Sequence, residues 1–200
     1  VNLRGTAVAT PFVADIDYDA KGQRTRIEYG SGATPNLHGV TTTYEYDPLT
    51  FRMINLQTLR GAEALQDLHY VYDPVGNITH IRDDAQQTLF FRNRRVEPSA
   101  EYTYDANYRL IEATGREHLG QVGGAPIPHS HDDAPRVGLL HPGDGNAMGT
   151  YIERYVYDAV GNFLSMQHRG SDPVHAGWTR DYRYEETSLL EPGKFSNRLS

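Results

Sequence analysis

The side chains of this chain that could do metal chemistry are concentrated in one polar run, HSHDD at residues 129–133, with His118 and His141 nearby. Two imidazoles at positions i and i+2 beside two carboxylates form a donor set for zinc or another divalent cation. Structural zinc sites usually have tighter paired spacing, however. We therefore favour a solvated polar loop, and a metal-dependent enzyme that uses residues 116–150 stands as the less favoured alternative.

A second candidate chemistry lies in acidic residues that recur along the chain, because a pair of carboxylates can act as general acid and base. Their spacings are 28, 26, 32, 53 and 27 residues, and 53 is close to two periods. Recurrence at a fixed period indicates a structural repeat, which explains the carboxylates without catalysis. The six positions are Asp19, Asp47, Asp73, Asp105, Asp158 and Glu185, the last in place of an aspartate.

The elements that position these carboxylates are turns. Asp at position i, Pro at i+1 and Gly at i+3 are the preferences of a type I turn, and the segment from Asp73 to Gly76 has all three. The segments that begin at Asp19 and Asp158 keep the Asp and the Gly, which are Gly22 and Gly161. Asp47 has Thr at the fourth place, and Asp105 has Tyr there, so we expect the Asp105 turn to be built differently.

Tyrosines precede these turns, usually as Tyr-x-Tyr. Two rings spaced two residues apart lie on the same face of a strand. Each unit therefore predicts a β-hairpin made of an incoming strand, an Asp turn and an outgoing strand. The tyrosines concerned are Tyr18, Tyr44, Tyr46, Tyr70, Tyr72, Tyr102, Tyr104, Tyr155 and Tyr157.

Composition supports strands and turns throughout. The chain has 14 tyrosines, 19 glycines, 11 prolines and only 38% hydrophobic residues. We predict an all-β fold of repetitive antiparallel hairpins over residues 1–200, interrupted by a Gly- and Pro-rich insertion or long loop at 116–150. The faces of the outgoing strands cannot be assigned, because their apolar residues do not alternate.

Several function classes are disfavoured. A net charge of −7 argues against a nucleic-acid partner, and the basic run FFRNRR at 90–95 is more typical of charged contacts at a strand edge. The absence of cysteine excludes disulfides and Cys-ligated metals within the sequence. No apolar run of about 18 residues and no signal peptide is visible, so we expect no membrane contact by this segment. We expect the chain to be a piece of a longer protein.

The units Tyr70 to Asn77 and Tyr155 to Asn162, of the form Y-x-Y-D-x-x-G-N, resemble the YD repeats of the bacterial Rhs family. The resemblance covers essentially the whole chain. The chain also resembles the repeat region of the C subunits of insecticidal toxin complexes. It implies a non-enzymatic, spiralling β-sheet shell that encloses a toxic C-terminal segment of the same parent chain. It also implies a B-type shell subunit as partner, no cofactor, and a secreted or cell-surface location of the parent.

The self-cleavage core of that family, which follows the repeats, has no counterpart here. Asp73-Pro74-Val75-Gly76 contains its four-residue signature D-P-x-G but lies inside a repeat, where it predicts a turn. No catalytic residue is therefore carried over. The alternative function is an extracellular adhesion or carbohydrate- or protein-binding module, since YD shells of similar kind occur in such proteins and aromatic faces suit sugars.

Overall fold

The computed structural model describes residues 12–30, 39–119, 145–171 and 177–199. The elements of these residues are thirteen β-strands, each paired antiparallel, so the all-β prediction is confirmed. The chain, which the sequence presents as one repeat region, divides into two compact units, Val1–Gln87 and Thr88–Ser200. Within the described ranges no helix is long and apolar enough to cross a membrane.

The first unit is a six-stranded meander in which each strand pairs with the next along the chain. Its strands are β1 (Val13–Tyr18), β2 (Arg24–Tyr29), β3 (Val40–Tyr46), β4 (Met53–Arg60), β5 (Glu63–Tyr72) and β6 (Ile78–Asp83). The Asp turns join β1 to β2, β3 to β4 and β5 to β6. The predicted hairpins are therefore the units from which this sheet is built.

The second unit contains a five-stranded meander and a separate two-stranded hairpin. The hairpin is β7 (Leu89–Phe91) and β8 (Arg94–Val96), and the meander is β9 (Ser99–Tyr104), β10 (Leu110–His118), β11 (Met148–Tyr157), β12 (Phe163–Gly170) and β13 (Trp178–Asp181). The basic run at 90–95 forms the β7–β8 hairpin. Arg92 and Asn93 at its tip have φ of 47° and 61°, the left-handed conformation of a two-residue turn.

One extra residue follows every Asp turn on the outgoing strand. In the β5–β6 pair, Tyr72 opposes Ile78 and Val71 opposes His80, so that Thr79 has no opposite residue. The same register shift occurs in the other four Asp hairpins. Such a bulge moves all later side chains of the strand to the opposite face. It accounts for the outgoing strands that do not alternate.

Once the bulge is included, each sheet has two distinct faces. The row Tyr44, Leu56 and Leu68 of the first unit is half-buried and apolar, whereas the neighbouring row Glu45, Asn55 and His69 is polar. We call these the tyrosine face and the charged face. Fully buried apolar side chains are few among the described residues, as expected for a sheet one layer thick: Ile27, Val96, Ala113, Leu119 and Ala147.

The structure differs from the sequence expectations at the ends of the insertion and at Glu185. The insertion at 116–150 begins and ends inside strands, because Arg116 pairs with Thr150 and His118 with Met148. Residues 120–144 lie outside the described residues. Glu185 does not form a turn after a strand; β13 ends at Asp181, and the chain instead turns from Glu191 to Lys194.

Candidate functional site: a braced row of turns

Each Asp turn is closed by hydrogen bonds to the aspartate. The Asp73 amide donates to the Asn77 carbonyl oxygen at 2.9 Å, and the Gly76 amide donates to the Asp73 carbonyl oxygen at 3.2 Å. Asp73 Oδ1 accepts from the amides of Gly76 (2.7 Å) and Asn77 (2.9 Å), and Oδ2 accepts from Asn77 Nδ2 (2.8 Å). The carboxylate thus supplies an acceptor for the Asn77 amide and a second acceptor for the Gly76 amide.

The turns at Asp19, Asp105 and Asp158 have the same backbone bonds. The expectation of a different Asp105 turn was wrong: the Tyr108 amide donates to the Asp105 carbonyl oxygen at 3.0 Å, and Tyr108 takes φ of 62° where the others have glycine. Only the Asp47 turn differs, with one more residue, and its left-handed position is held by Phe51 at φ 59°. The fold therefore demands a left-handed residue before each hairpin closes, whether or not glycine is present.

Four turn aspartates are held in the ionised form: Asp47, Asp73, Asp105 and Asp158. A hydrogen bond from the Arg109 amide is the largest cause of the lowered pKa of Asp105, and bonds from Thr50 lower the pKa of Asp47. Desolvation opposes the shift at Asp73 and Asp158, but bonds from the following Asn and turn amides still lower the pKa of both. A carboxylate committed in this way is poorly suited to act as a general acid near neutral pH.

Neighbouring hairpins lose their backbone pairing near the turns, and tyrosine hydroxyls bridge the gap. The β4–β5 ladder ends at Asn55 opposite His69, and three residues further on the Tyr72 hydroxyl donates to the Met53 carbonyl oxygen at 2.6 Å. The acceptor is the residue just before the bulge. Equivalent bonds join Tyr46 to the Arg24 carbonyl oxygen and Tyr157 to the Leu110 carbonyl oxygen, each at 2.8 Å.

A second bridge comes from the residue that ends each turn, which we call the closing position. Arg52 at this position donates from Nη1 to the Asp73 carbonyl oxygen (2.9 Å) and from Nη2 to the Pro74 carbonyl oxygen (3.1 Å). Its guanidinium also lies 5.7 Å from the centre of the Tyr72 ring, within the range of a cation–π interaction. The closing position thereby joins one turn to the next.

Three other closing positions, Gln23, Arg109 and Asn162, also bond a neighbouring turn or loop, whereas Asn77 bonds Asp73 of its own turn. Gln23 Nε2 donates to the Phe51 carbonyl oxygen at 2.9 Å, and Arg109 Nη1 donates to the Asp158 carbonyl oxygen at 2.9 Å. Asn162 Nδ2 donates to Asn197 Oδ1 at 3.2 Å, in the final loop. We call the series of turns linked by closing positions the turn row; each unit has its own.

The tyrosine face of the second unit also holds a buried polar cluster. His168 Nε2 lies 2.8 Å from Glu117 Oε2, and Nδ1 lies 3.1 Å from Glu153 Oε1. The imidazole is stacked between Tyr151 and Trp178, at centroid distances of 5.1 and 5.4 Å. The cluster ties β10, β11, β12 and β13 together. One oxygen of Glu117, Oε1, is buried without a hydrogen-bond partner.

Burial is the main cause of the raised pKa of Glu117; His168 opposes it and Glu153 adds to it. Burial also raises the pKa of Tyr151 and of Tyr155, whose hydroxyl donates to Glu153. The bonds of Glu153 to Tyr155 and to His168, and of His168 to Glu117, link the strands that carry these side chains. Across the described ranges, no group of three or more His, Cys, Asp or Glu side chains could hold a metal ion. The predicted histidine run at 129–133 and His141 lie outside those ranges.

The predicted repeat tyrosines lie at the ends of strands that lead into a turn, and the aspartates begin those turns. The closing positions were not predicted, although a polar side chain with N–H donors follows each turn. They are Gln23, Arg52, Asn77, Arg109 and Asn162. His168, Glu117 and Glu153 were also missed. Strand register brings them together, although Glu117 and His168 are 51 residues apart in the sequence.

Two curated toxin subunits of Yersinia entomophaga are similar to the chain. It is 38% identical to toxin subunit YenC1 over 193 residues, which span 94% of this chain and 17% of that protein. It is 41% identical to toxin subunit YenC2 over 159 residues, which span 76% of this chain and 15% of that protein. The chain belongs to the family of these toxin subunits. No protein-family model matches it.

A solved complex contains a fold similar to that of this chain. The crystal structure of TcdB2-TccC3 without a hypervariable C-terminal region is similar with a TM-score of 0.66 and 35% identity, over 88% of this chain and 8% of that chain. The chain therefore has the fold of a toxin-complex β-shell and resembles the Rhs/YD-repeat region, as the sequence predicted. It spans less than a fifth of the length of the toxin subunits it matches.

Proposed function

We propose that the chain is part of the wall of a β-shell that encloses a toxic C-terminal polypeptide of the same parent chain and helps to deliver it. The observation that carries the proposal is the turn row. Repeated hairpins are locked to their neighbours at the turn end by side chains, where backbone pairing has stopped. A wall built from short strands needs such cross-links to stay closed around its contents.

The role that fits these residues is non-catalytic. The repeated carboxylates are committed to turn amides. The hydroxyls of Tyr46, Tyr72 and Tyr157 bond carbonyl oxygens, and that of Tyr155 bonds Glu153. A B-type shell subunit is the proposed partner of the parent, by analogy with the TcdB2-TccC3 complex. The removal of a hypervariable C-terminal region from that complex supports a cargo segment separable from the shell. We propose a secreted parent, with neither nucleic acid nor membrane bound by this segment.

Protease protection tests the function. The intact parent chain, assembled with its partner subunit, is treated with a nonspecific protease, and cleavage of the C-terminal polypeptide is followed by mass spectrometry. We expect that polypeptide to survive at least tenfold longer inside the assembly than when it is produced alone. Equal rates of cleavage in the two samples would overturn the proposal.

The contribution of this segment to the wall is tested with two variants. Arg109→Ala removes a closing position, whereas Arg154→Ala removes an exposed arginine that pairs with Glu112 on the charged face. We expect faster cleavage of the enclosed polypeptide only with Arg109→Ala. The matched variant shows whether loss of any arginine has the same effect.

A further inference from the structure

Three of the five Asp turns carry an exposed apolar side chain at the same position, whereas Lys21 and Asn107 stand there in the other two. Two residues after the aspartate stand Leu49, Val75 and Val160, which are 85%, 58% and 73% exposed. Turn tips are usually occupied by Gly, Pro, Asn, Asp or Ser. Turn chemistry therefore gives no reason for Leu or Val at this position. A single exposed apolar residue needs no explanation, but its recurrence at one position of a repeat does.

The turn row holds these tips at fixed spacing. Arg52 ties the turn that carries Leu49 to the turn that carries Val75 through the carbonyl oxygens of Asp73 and Pro74. Phe51, 46% exposed, belongs to the same turn as Leu49; its carbonyl oxygen accepts a bond from Gln23, and Lys21 Nζ lies over its ring. In the first unit the tips thus form a rim with several apolar side chains in register.

In the second unit the Asp158 turn alone has an apolar residue at this position, Val160. Arg109 ties the Asp105 turn to the turn that carries Val160, and Tyr108, 60% exposed, stands at the adjacent tip. The final loop, joined to this row through Asn162, presents Leu189 and Leu190 at 87% and 92% exposure. Both units therefore present an apolar rim where their strands end.

Sheet geometry indicates what such a rim meets. The strands of the first unit have six to ten residues, or about 20 to 33 Å. A wall that encloses a polypeptide must be taller than one strand. It therefore needs several rows of side-by-side strands, here called bands, stacked end to end. Backbone hydrogen bonds run sideways between strands, so they cannot join two bands across their strand ends. Contact between bands has to come from side chains at the turns, and apolar side chains suit a buried contact.

We propose that the apolar turn tips Leu49, Val75 and Val160 dock against another stretch of the same parent polypeptide, outside these 200 residues. The inference rests on the wall function proposed above. The matched toxin subunits extend far beyond the region similar to this chain, which covers 15 to 17% of their length, so the greater part of a wall is supplied by the rest of the polypeptide. An enclosed polypeptide meets a face of the sheet, whereas the rim meets the next band.

Photo-crosslinking in the intact parent chain, assembled with its partner subunit, tests this contact. Leu49, Val75 and Val160 are replaced one at a time by p-benzoylphenylalanine, which the exposed tips accommodate without changing the turn. Val71, 52% exposed on the charged face, serves as the control position. We expect crosslinks from the tips to peptides of the same chain outside residues 1–200, at least fivefold more than from position 71.

Mixing unlabelled and nitrogen-15-labelled chains separates contacts within one chain from contacts between two copies. Crosslinks of mixed isotope content, crosslinks to the partner subunit, crosslinks to the C-terminal polypeptide, or none at all would each overturn the docking proposal. Protease protection is measured on the same samples. Protease protection without tip crosslinks would contradict the docking proposal and leave the enclosure function standing. Tip crosslinks without protection would contradict the enclosure function and leave the docking proposal standing.

Discussion

The Nη1 atom of Arg52 lies 2.9 Å from the carbonyl oxygen of Asp73, the first residue of the next turn. The Arg52 guanidinium thus bonds a neutral carbonyl oxygen of the Asp73 turn, while the Asp73 carboxylate accepts from the amides of that turn. The arrangement joins two hairpins without a salt bridge, so salt weakens it less than it weakens an exposed ion pair.

Arg52→Ala is expected to loosen the β5–β6 turn. The bond is charge-assisted and partly buried, and bonds of this class contribute about 1.5 to 3 kcal/mol. Hydrogen exchange of the peptides that contain Tyr72 and Asn77 in the intact parent measures the local free energy of opening. Exchange in that region should become about 10- to 100-fold faster.

The matched control for this variant is Arg60→Ala. Arg60 is 53% exposed and lies 3.5 Å from Glu63, which is typical of a surface ion pair. We expect a change within about 0.5 kcal/mol. Equal effects of the two substitutions would contradict a bracing role of the closing position.

A pair of glycine substitutions separates backbone strain from loss of the brace. Gly76 and Gly161 have φ of 113° and 101°, so alanine at either position is strained by at least about 1 to 2 kcal/mol. An added Cβ at Gly76 would lie 3.0 Å from Arg52 Nη2, whereas at Gly161 it would meet nothing within 4 Å. Gly76→Ala should therefore cost more than Gly161→Ala.

A double-mutant cycle checks the origin of that difference. In an Arg52→Ala background the side chain that crowds Gly76 is gone, so Gly76→Ala should cost no more than Gly161→Ala, measured by hydrogen exchange of each turn. An excess that persists in this background would assign it to the backbone at Gly76 and not to Arg52.

Tyr72→Phe removes the hydroxyl that bridges to Met53 while keeping the ring. The bond joins the start of β4 to the end of β5. We expect the local free energy of opening there to fall by about 0.5 to 1.5 kcal/mol, the usual net contribution of one hydrogen bond. Faster exchange of the Met53 to Asn55 amides is the measurement. Tyr108→Phe, at a turn tip, should leave its hairpin within about 0.3 kcal/mol of the unaltered protein; a larger effect there would mean that any tyrosine change perturbs the sheet.

Much of the hairpin repeat could be predicted because its signals are local. Asp, Pro and Gly act within four residues, and Tyr-x-Tyr acts within one strand. The faces could not be predicted, because the bulge after each turn spaces the residues of one face three apart, as with Met53 and Leu56 or Ile78 and Ile81. A spacing of three is typical of a helix, and only the ladder register reveals that it belongs to a strand.

The bridges between hairpins could not be predicted because they depend on neighbours in space. Arg52 bonds a turn 21 residues later, and Arg109 bonds one 49 residues later. Glu185 misled for the opposite reason: its motif matched, but the strand pairing that the hairpin needs ends at Asp181. The sequence Glu191-Pro192-Gly193-Lys194 is the turn signal that was overlooked, with Gly193 at φ 84°.

Asp73→Asn tests the acid dependence of the turns. The folded pKa of Asp73 lies below its unfolded value of about 4, so the carboxylate stabilises the turn above that pH and the contribution is lost as pH falls through the lowered folded pKa. Asparagine keeps the acceptor for the Gly76 amide but presents an N–H to Asn77 Nδ2. We expect faster exchange at pH 7 and a smaller further increase between pH 4 and 2.

The opposite pH dependence is expected at Glu117, where burial raises the folded pKa above the unfolded value of about 4. Folding then favours the protonated carboxyl, so this group stabilises the sheet as pH falls and opposes folding as pH rises through its raised pKa. Glu117→Gln removes the ionisable group and still offers an oxygen to His168 Nε2, while its amide N–H takes the place of the unpaired Oε1. Exchange of β10 and β12 peptides in the parent should slow at pH 8, and the difference from the unaltered protein should shrink towards pH 4. Glu112→Gln, on the exposed charged face, is the matched variant, and an equal gain there would trace the effect to net charge instead of to the buried cluster.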